Sequence, residues 1–202
     1  RWGSKERDTL FDNLRKIIIP QYLRKEFQIP MIEDKQSKKI LKKAKSSKRI
    51  LSHLSGDNKR MKLFVTRSVR YFCTASRIDL ERGEGGQHEL QFQNKNSRNL
   101  AQILINSRFF YWHWRVYGNG FQVILKNILD FPIPSQDNQN RLQQRINKMA
   151  DKLHRKRNDL GVVKENKGSI QNIKYDLDTR LMDELDTLVN DLYGFNDVEY
   201  PF

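Results

Sequence analysis

The side chains of this chain that could do chemistry are mostly cations, and what cations can do is hold a polyanion. Its 202 residues carry 38 Lys and Arg against 24 Asp and Glu, a formal charge of +14. A balance of that size makes nucleic acid the default partner, with a merely soluble basic protein as the plain alternative. The densest run is Lys35–Arg49, KQSKKILKKAKSSKR, with eight bases and only Ile40, Leu41 and Ala44 as apolar content. Read functionally, each lysine there would neutralise a phosphate and add salt-dependent affinity. Read plainly, the run is a solvated helix face or an unstructured loop. The charge is also uneven. Residues 176–202 hold eight acids and one base, Arg180, a net of −7, which leaves +21 on the first 175 residues. A polyanion should therefore meet the earlier part of the chain, and the tail is a bystander or a dock for something basic.

Other chemistries find little support. The four histidines, His53, His88, His113 and His154, lack metal-ligand spacing. Cys73 is the one cysteine, which excludes an internal disulfide framework and fits a reducing compartment. It lies in the apolar run RYFCTA and is expected to be a buried thiol, not a nucleophile. The glycines of Glu81–Gly86, ERGEGG, invite a phosphate-cradling reading, but no Lys-Ser/Thr pair follows and no helix opens there, so a hairpin turn is expected. Gly118-Asn119-Gly120 lacks the third glycine of a dinucleotide loop and follows a helix instead of a strand. No run approaches the ~18 apolar residues of a membrane span and no signal peptide is visible, so a cytoplasmic location is expected. The chain opens on Arg1, as a piece of a longer protein would.

The elements that must position the cations are organised around Leu100–Pro134, which holds two of the three tryptophans, a glycine-bracketed turn and a proline-bracketed exit. From Leu100 to about Val116 the pattern is helical and apolar nearly all round, which predicts a buried helix interrupted at Asn106-Ser107 and stopped by Gly118. Tyr111, Trp112 and Trp114 could stack on bases, but within such a helix core is the better reading. Phe121–Leu125 could be a strand, Lys126–Leu129 a single helical turn and Phe131–Pro134 an extended exit. Upstream, residues 4–18 read as a short helix, and Phe27–Ile32 is an apolar patch too short to type. Met61–Leu80 reads as two short strands around Arg67-Ser68, with His88–Gln93 as the partner strand and Asn94–Asn99 as a polar connector. Downstream, Leu142, Ile146, Met149 and Leu153 form a narrow seam on a helix from Asp137 to Leu160, closed by Gly161. Leu177, Leu181, Leu185, Leu188 and Leu192 repeat the design from Asp176 to Tyr193, closed by Gly194. One helix is basic and the other acidic, so across a short polar linker they should pack antiparallel. The expected fold is mixed α/β (α+β): a mixed-sheet globule over 1–134 followed by a helical hairpin over 135–202.

Ile103–Pro134, ILINSRFFYWHWRVYGNGFQVILKNILDFPIP, resembles the C-terminal recognition region of adenine-specific DNA methyltransferases of fused type IIG restriction–modification enzymes. More distantly it is similar to half of a type I specificity subunit. Three further pieces agree in order. Trp2–Ile17, WGSKERDTLFDNLRKI, looks like the Gly-Ser-x-x-Glu-x-x-x-Phe-x-x-Ile start of that region. Arg67–Ala75, RSVRYFCTA, lies where the family has a strand with an Arg-Tyr-Phe/Trp core. Leu181–Phe195, LMDELDTLVNDLYGF, looks like its closing helix. There are departures: Arg67-Ser68-Val69 stands where the family often has Thr-Gly-Gly, and Lys35–Arg49 has no family counterpart. Neither the Asn/Asp-Pro-Pro-Tyr/Phe tetrad nor a glycine-rich loop for S-adenosylmethionine is present, nor a nuclease carboxylate cluster.

The resemblance implies a non-catalytic, cofactor-free segment that reads double-stranded DNA for a bacterial enzyme. S-adenosylmethionine, the methyltransferase and any nuclease domain would belong to an upstream part of the same polypeptide, with no membrane involved. Base edges are read by Arg or Lys on guanine and by Asn or Gln on adenine. The candidate readers are then Arg67, Arg70 and Arg77 in the strand region, with Arg115, Asn119, Gln122 and Lys126 around the glycine turn. Candidate phosphate contacts are Lys38, Lys39, Lys42, Lys43, Lys45, Arg60 and Lys62, which would set register without reading sequence. Two other readings stay open: a basic RNA-binding protein with a helical interaction module, and a scaffold whose helix pair is the functional surface.

Overall fold

The computed structural model describes residues 35–69, 73–80, 85–118, 120–159, 162–166, 170–174 and 179–195. The helix expected over 4–18, the patch Phe27–Ile32, the first four residues of the ERGEGG turn, Arg70, Asn119, Gly161 and Leu177 lie outside them. The class is mixed α/β, with helix dominant.

Strand β1, Ser55–Thr66, is the centre of a three-stranded antiparallel sheet, between β2, Ala75–Ser76, and β3, Gln87–Phe92. Alternation explains which face is buried: Leu63 and Val65 on β1 and Leu90 and Phe92 on β3 point into the core. Two short strands were expected within Met61–Leu80. Instead β1 begins six residues earlier, in the polar stretch SGDNKR, where the pairing with Phe92 is bulged and no apolar alternation announces a strand. Gly56 is required there, since a Cβ would stand 2.7 Å from the backbone nitrogen of Gln93. The second strand is only two residues long, and a side chain occupies its outer edge. Asn106 Oδ1 accepts from the Ala75 N–H at 3.2 Å, and its Nδ2 donates to the Ala75 carbonyl at 2.9 Å. That amide closes the edge of the sheet where a further strand would otherwise pair.

Helix α2 spans Lys95–Asn106, so the expected connector Asn94–Asn99 is mostly helix; the Asn94 side chain caps it by accepting from the Ser97 N–H at 3.0 Å. The single helix expected from Leu100 to Val116 is two, α2 and α3, Arg108–Tyr117. Ser107 makes the corner: its backbone is extended, its hydroxyl donates to the Leu104 carbonyl at 2.6 Å, and the same oxygen accepts from the Phe110 N–H at 3.2 Å. One residue therefore closes one helix and caps the next.

The aromatic helix is core, as its sequence indicates. Tyr111, Trp112 and Trp114 are buried, and Phe109 meets the rings of Phe131, Tyr193 and Phe195 at centroid distances of 5.2, 4.9 and 5.2 Å. Gly118 ends α3 by a close approach rather than by a left-handed cap. Its backbone is extended, and a Cβ would lie 2.5 Å from the Trp114 carbonyl oxygen. A one-turn helix, α4, Leu125–Leu129, leads to the extended Phe131–Pro134. That exit is fastened: the Leu51 N–H donates to the Phe131 carbonyl at 2.8 Å, and the Ile133 N–H to the Arg49 carbonyl at 2.9 Å.

The two long helices are α5, Gln136–Asp159, and α6, Thr179–Tyr193. Their seams are buried at Leu142, Ile146, Met149 and Leu153 and at Leu181, Leu185, Leu188 and Leu192. The pairing is antiparallel: Asn138 Nδ2 donates to the Leu192 carbonyl at 2.9 Å, Arg145 pairs with Asp191 at 2.7 Å, and Lys152 pairs with Glu184. Where a short polar linker was expected stands an antiparallel hairpin, β4, Val162–Asn166, and β5, Ile170–Lys174. The segments VVKEN and IQNIK carry β-branched residues, which favour strands. The helix pair has no separate core. One apolar cluster runs from Ile40 to Phe195, so the segments 1–134 and 135–202 share it among the described residues.

Candidate nucleic-acid interface

Two remote pieces of chain meet at the end of β1. The Val123 N–H donates to the Arg67 carbonyl at 2.9 Å, Ser68 and Gln122 form an antiparallel bridge, and the Arg67 N–H donates to the Gly86 carbonyl at 3.1 Å. The Val123 carbonyl lies 2.8 Å from His88 Nε2, which must donate because a carbonyl can only accept. Trp114 Nε1 donates to the Gln122 carbonyl at 3.3 Å. The segment after Gly118 is thus tied to α3, β1 and β3 at once. With Val123 buried, its neighbours Gln122 and Ile124 point outwards.

This corner gathers some of the candidate readers. The Arg67 Nη2 donates to Gln122 Oε1 at 3.4 Å on the exposed side, so the guanidinium and the amide stand together. Gly85, with a left-handed φ of 76°, turns the chain beside that guanidinium; a Cβ there would lie 3.5 Å from Nη1. Arg115 is exposed although every other residue from Phe109 to Tyr117 is buried, so α3 presents one cation to solvent. Lys126 is exposed and pairs with Asp130 at 3.0 Å. Arg70 and Asn119 are outside the described residues.

Arg77 is different. Its Nε donates to Gln102 Oε1 at 2.8 Å, Nη1 to Asp151 Oδ1 at 2.7 Å and Nη2 to Asn99 Oδ1 at 3.1 Å, and its side chain is only 12% exposed. All three nitrogens are engaged by α2 and α5, and no edge remains for a base. We therefore set Arg77 apart from the readers as a brace between the sheet and the helices. The pair also holds the Asp151 carboxyl below its usual range, through the hydrogen bond from Arg77 first and its charge second.

The basic run is an ordered element. Helix α1, Lys35–Ala44, buries Ile40, Leu41 and Ala44 and leaves Lys39, Lys42 and Lys43 exposed, with Lys38 half-buried. Two of its candidate phosphate contacts serve the fold. Lys43 Nζ donates to the Gly194 carbonyl just past the end of α6. Lys45, in a short 3₁₀ turn after α1, has its ammonium 5.1 Å from the centre of the Tyr117 ring, and burial lowers its pKa. Arg60 is exposed in the bulged part of β1, whereas Lys62 pairs with Glu89 at 2.6 Å. At ~3.3 Å per residue Arg60 lies ~20 Å from Arg67 along the strand, so these cations flank the corner without joining it.

The sequence reading missed the exposed apolar side chains of the corner, Phe121, Ile124 and Leu125. It allowed a strand there, which would have buried alternate residues within a ladder. The tie at Val123 supplies a single bridge instead. Among the described residues no group of three or more His, Cys, Asp or Glu could hold a metal ion, and no helix is long and apolar enough to cross a membrane. Cys73 is buried and its thiol is pushed up to about 12 by that burial, which removes it as a nucleophile at neutral pH. Comparison with protein families, curated proteins and solved structures finds no match to this chain.

Proposed function

We propose that this chain reads duplex DNA in a sequence-specific way. It would serve as the recognition region of a bacterial restriction–modification adenine methyltransferase whose catalytic residues and S-adenosylmethionine site lie elsewhere in the polypeptide. The observation that carries the reading is the Arg67–Gln122 pair. It sets a guanidinium, which suits guanine, beside an amide, which suits adenine, just past the end of β1. Their mutual hydrogen bond is long, at 3.4 Å, and solvent-facing. Arg115 and Lys126 flank the pair in sequence, and Lys39 and Lys42 on α1 supply exposed charge for phosphates. The motif order that resembles the recognition region supports the same reading.

Titration of labelled duplexes at two salt concentrations tests it. Gln122→Ala is expected to weaken the preferred duplex by ~1–3 kcal/mol while leaving a scrambled duplex unchanged. Lys39→Ala and Lys42→Ala should weaken all duplexes alike and flatten the salt slope by about 0.9 for each phosphate no longer neutralised. Equal losses on both duplexes for Gln122→Ala would remove it as a reader. An RNA competitor that displaces the duplex more readily than DNA does would favour the RNA-binding alternative.

A further inference from the structure

The corner holds a feature that base-edge hydrogen bonding does not use. Phe121 is 82% exposed, and Ile124 and Leu125 beside it are 41% and 42% exposed, a ridge of three large apolar side chains within five residues. A flexible loop would fold such a phenyl ring back onto the surface. Here the backbone on either side of Phe121 is tied down. Gly118 N–H donates to the Trp114 carbonyl at 2.6 Å, Trp114 Nε1 to the Gln122 carbonyl at 3.3 Å, and Val123 N–H to the Arg67 carbonyl at 2.9 Å. Gly120, with φ of 75°, has nothing within 4 Å of where a Cβ would stand.

Charge selects the occupant. From Arg115 to Leu129 the chain has no acidic residue, and in sequence the three side chains lie between Arg115 and Lys126, with Arg67 at Gln122. A second copy of this chain would bring the same cations against these, and like charges oppose that contact. A ridge of apolar side chains rimmed by cations matches a stack of bases between two phosphate backbones, since an apolar side chain can enter a base step while cations hold the flanking phosphates. We propose, granting that the corner reads duplex DNA, that Phe121 is a wedge that enters a base step. Ile124 and Leu125 line the groove beside it, and Arg67 and Gln122 address the adjacent base edges. The wedge would unstack one step at a fixed distance from the bases being read, so the site would be selected partly by how easily that step opens.

The test uses the full chain and the duplex that it enriches from a random-sequence pool, with 2-aminopurine substituted for each adenine in turn. Emission of 2-aminopurine rises when its stacking is lost. With the unaltered chain, emission is expected to rise at one position of the bound site. Phe121→Ala should abolish that rise and weaken binding ~10-fold while leaving the salt slope unchanged, because stacking is uncharged. Phe121→Trp should restore both. If a duplex is enriched but emission and affinity are the same for Phe121→Ala, the wedge is overturned and the recognition reading stands. If no duplex is enriched at any salt concentration, the recognition reading falls and the wedge falls with it. If Phe121→Ala instead abolishes self-association and leaves DNA binding intact, the ridge is a contact between copies and the wedge is overturned.

Discussion

Phe109→Ala is expected to lower the unfolding free energy by ~3–5 kcal/mol, the range for removing a buried aromatic ring. Phe109 is fully buried and stands at the centre of the aromatic cluster. Besides Phe131, Tyr193 and Phe195 its ring meets Trp112 at 6.0 Å and His113 at 6.3 Å. Its neighbours come from α3, from the extended exit and from the end of α6, so they cannot close the void together without moving three elements. The loss is large against the ~5–15 kcal/mol that holds a typical domain. Urea unfolding followed by far-ultraviolet circular dichroism measures it. Phe109→Leu, which keeps most of the volume, should lose far less. A loss under ~1 kcal/mol for the alanine variant would mean that these rings do not meet in solution. The consequence reaches the corner, because Trp114 in α3 and Gly118 just after it tie down the segment carrying Phe121 and Gln122.

What could be read from the sequence, and what could not, follows from how far each contact reaches along the chain. The seams of α5 and α6 were legible because a repeat of three and four residues is a local signal, and opposite charge on the two helices fixed their pairing. The aromatic helix was legible as core for the same reason. Its corner at Ser107 was visible only as a polar interruption, since whether Asn-Ser bends a helix depends on what receives the amide. That receiver is Ala75, 31 residues away. Arg67 and Arg77 look alike in sequence, each a cation among strand-forming residues. They part company through Gln102, Asn99 and Asp151 around one and Gln122 around the other, all far off in the chain. The polar start of β1 gave no signal because a bulged strand facing solvent needs no alternation. Half of the candidate site, the turn with Gln122, was legible from its glycines. The exposure of Phe121 was not, because it follows from the tie of Val123 to β1.

The second large effect is a dependence of stability on pH centred on Asp186. Its carboxylate is 6% exposed by residue, with Oδ1 accepting from the Arg108 backbone N–H at 3.0 Å and Oδ2 from Arg108 Nη1 at 2.9 Å. The same Nη1 donates to Asp183 Oδ1 at 2.7 Å. Burial pushes the Asp186 carboxyl up to about 6 in spite of the bonds and charge of Arg108. The guanidinium is opposed by its own burial, but the two carboxylates outweigh this and hold it above its usual pKa. A carboxyl whose folded pKa exceeds its unfolded value of ~3.9 binds protons more tightly when folded. Its contribution to stability is fully present below pH ~4 and is lost as pH rises towards 6, by on the order of 3 kcal/mol. Glu89 and Asp151 are shifted the other way, by Lys62 and Arg77, and act only as pH falls below ~4. Urea unfolding between pH 4 and 7 should therefore show stability falling with rising pH in the unaltered chain, and a flatter profile for Asp186→Asn. The asparagine keeps an acceptor for the Arg108 N–H, while Asp183 keeps the guanidinium, so at neutral pH this variant should be no less stable than the parent. An unchanged slope in Asp186→Asn would assign the dependence to another group. At neutral pH the ionised carboxylate costs the fold stability, yet it lies at the N-terminus of α3, where a negative charge is favoured. There it holds α6 to the corner between α2 and α3, and so fixes the direction in which α3 delivers Arg115 and the loop beyond it.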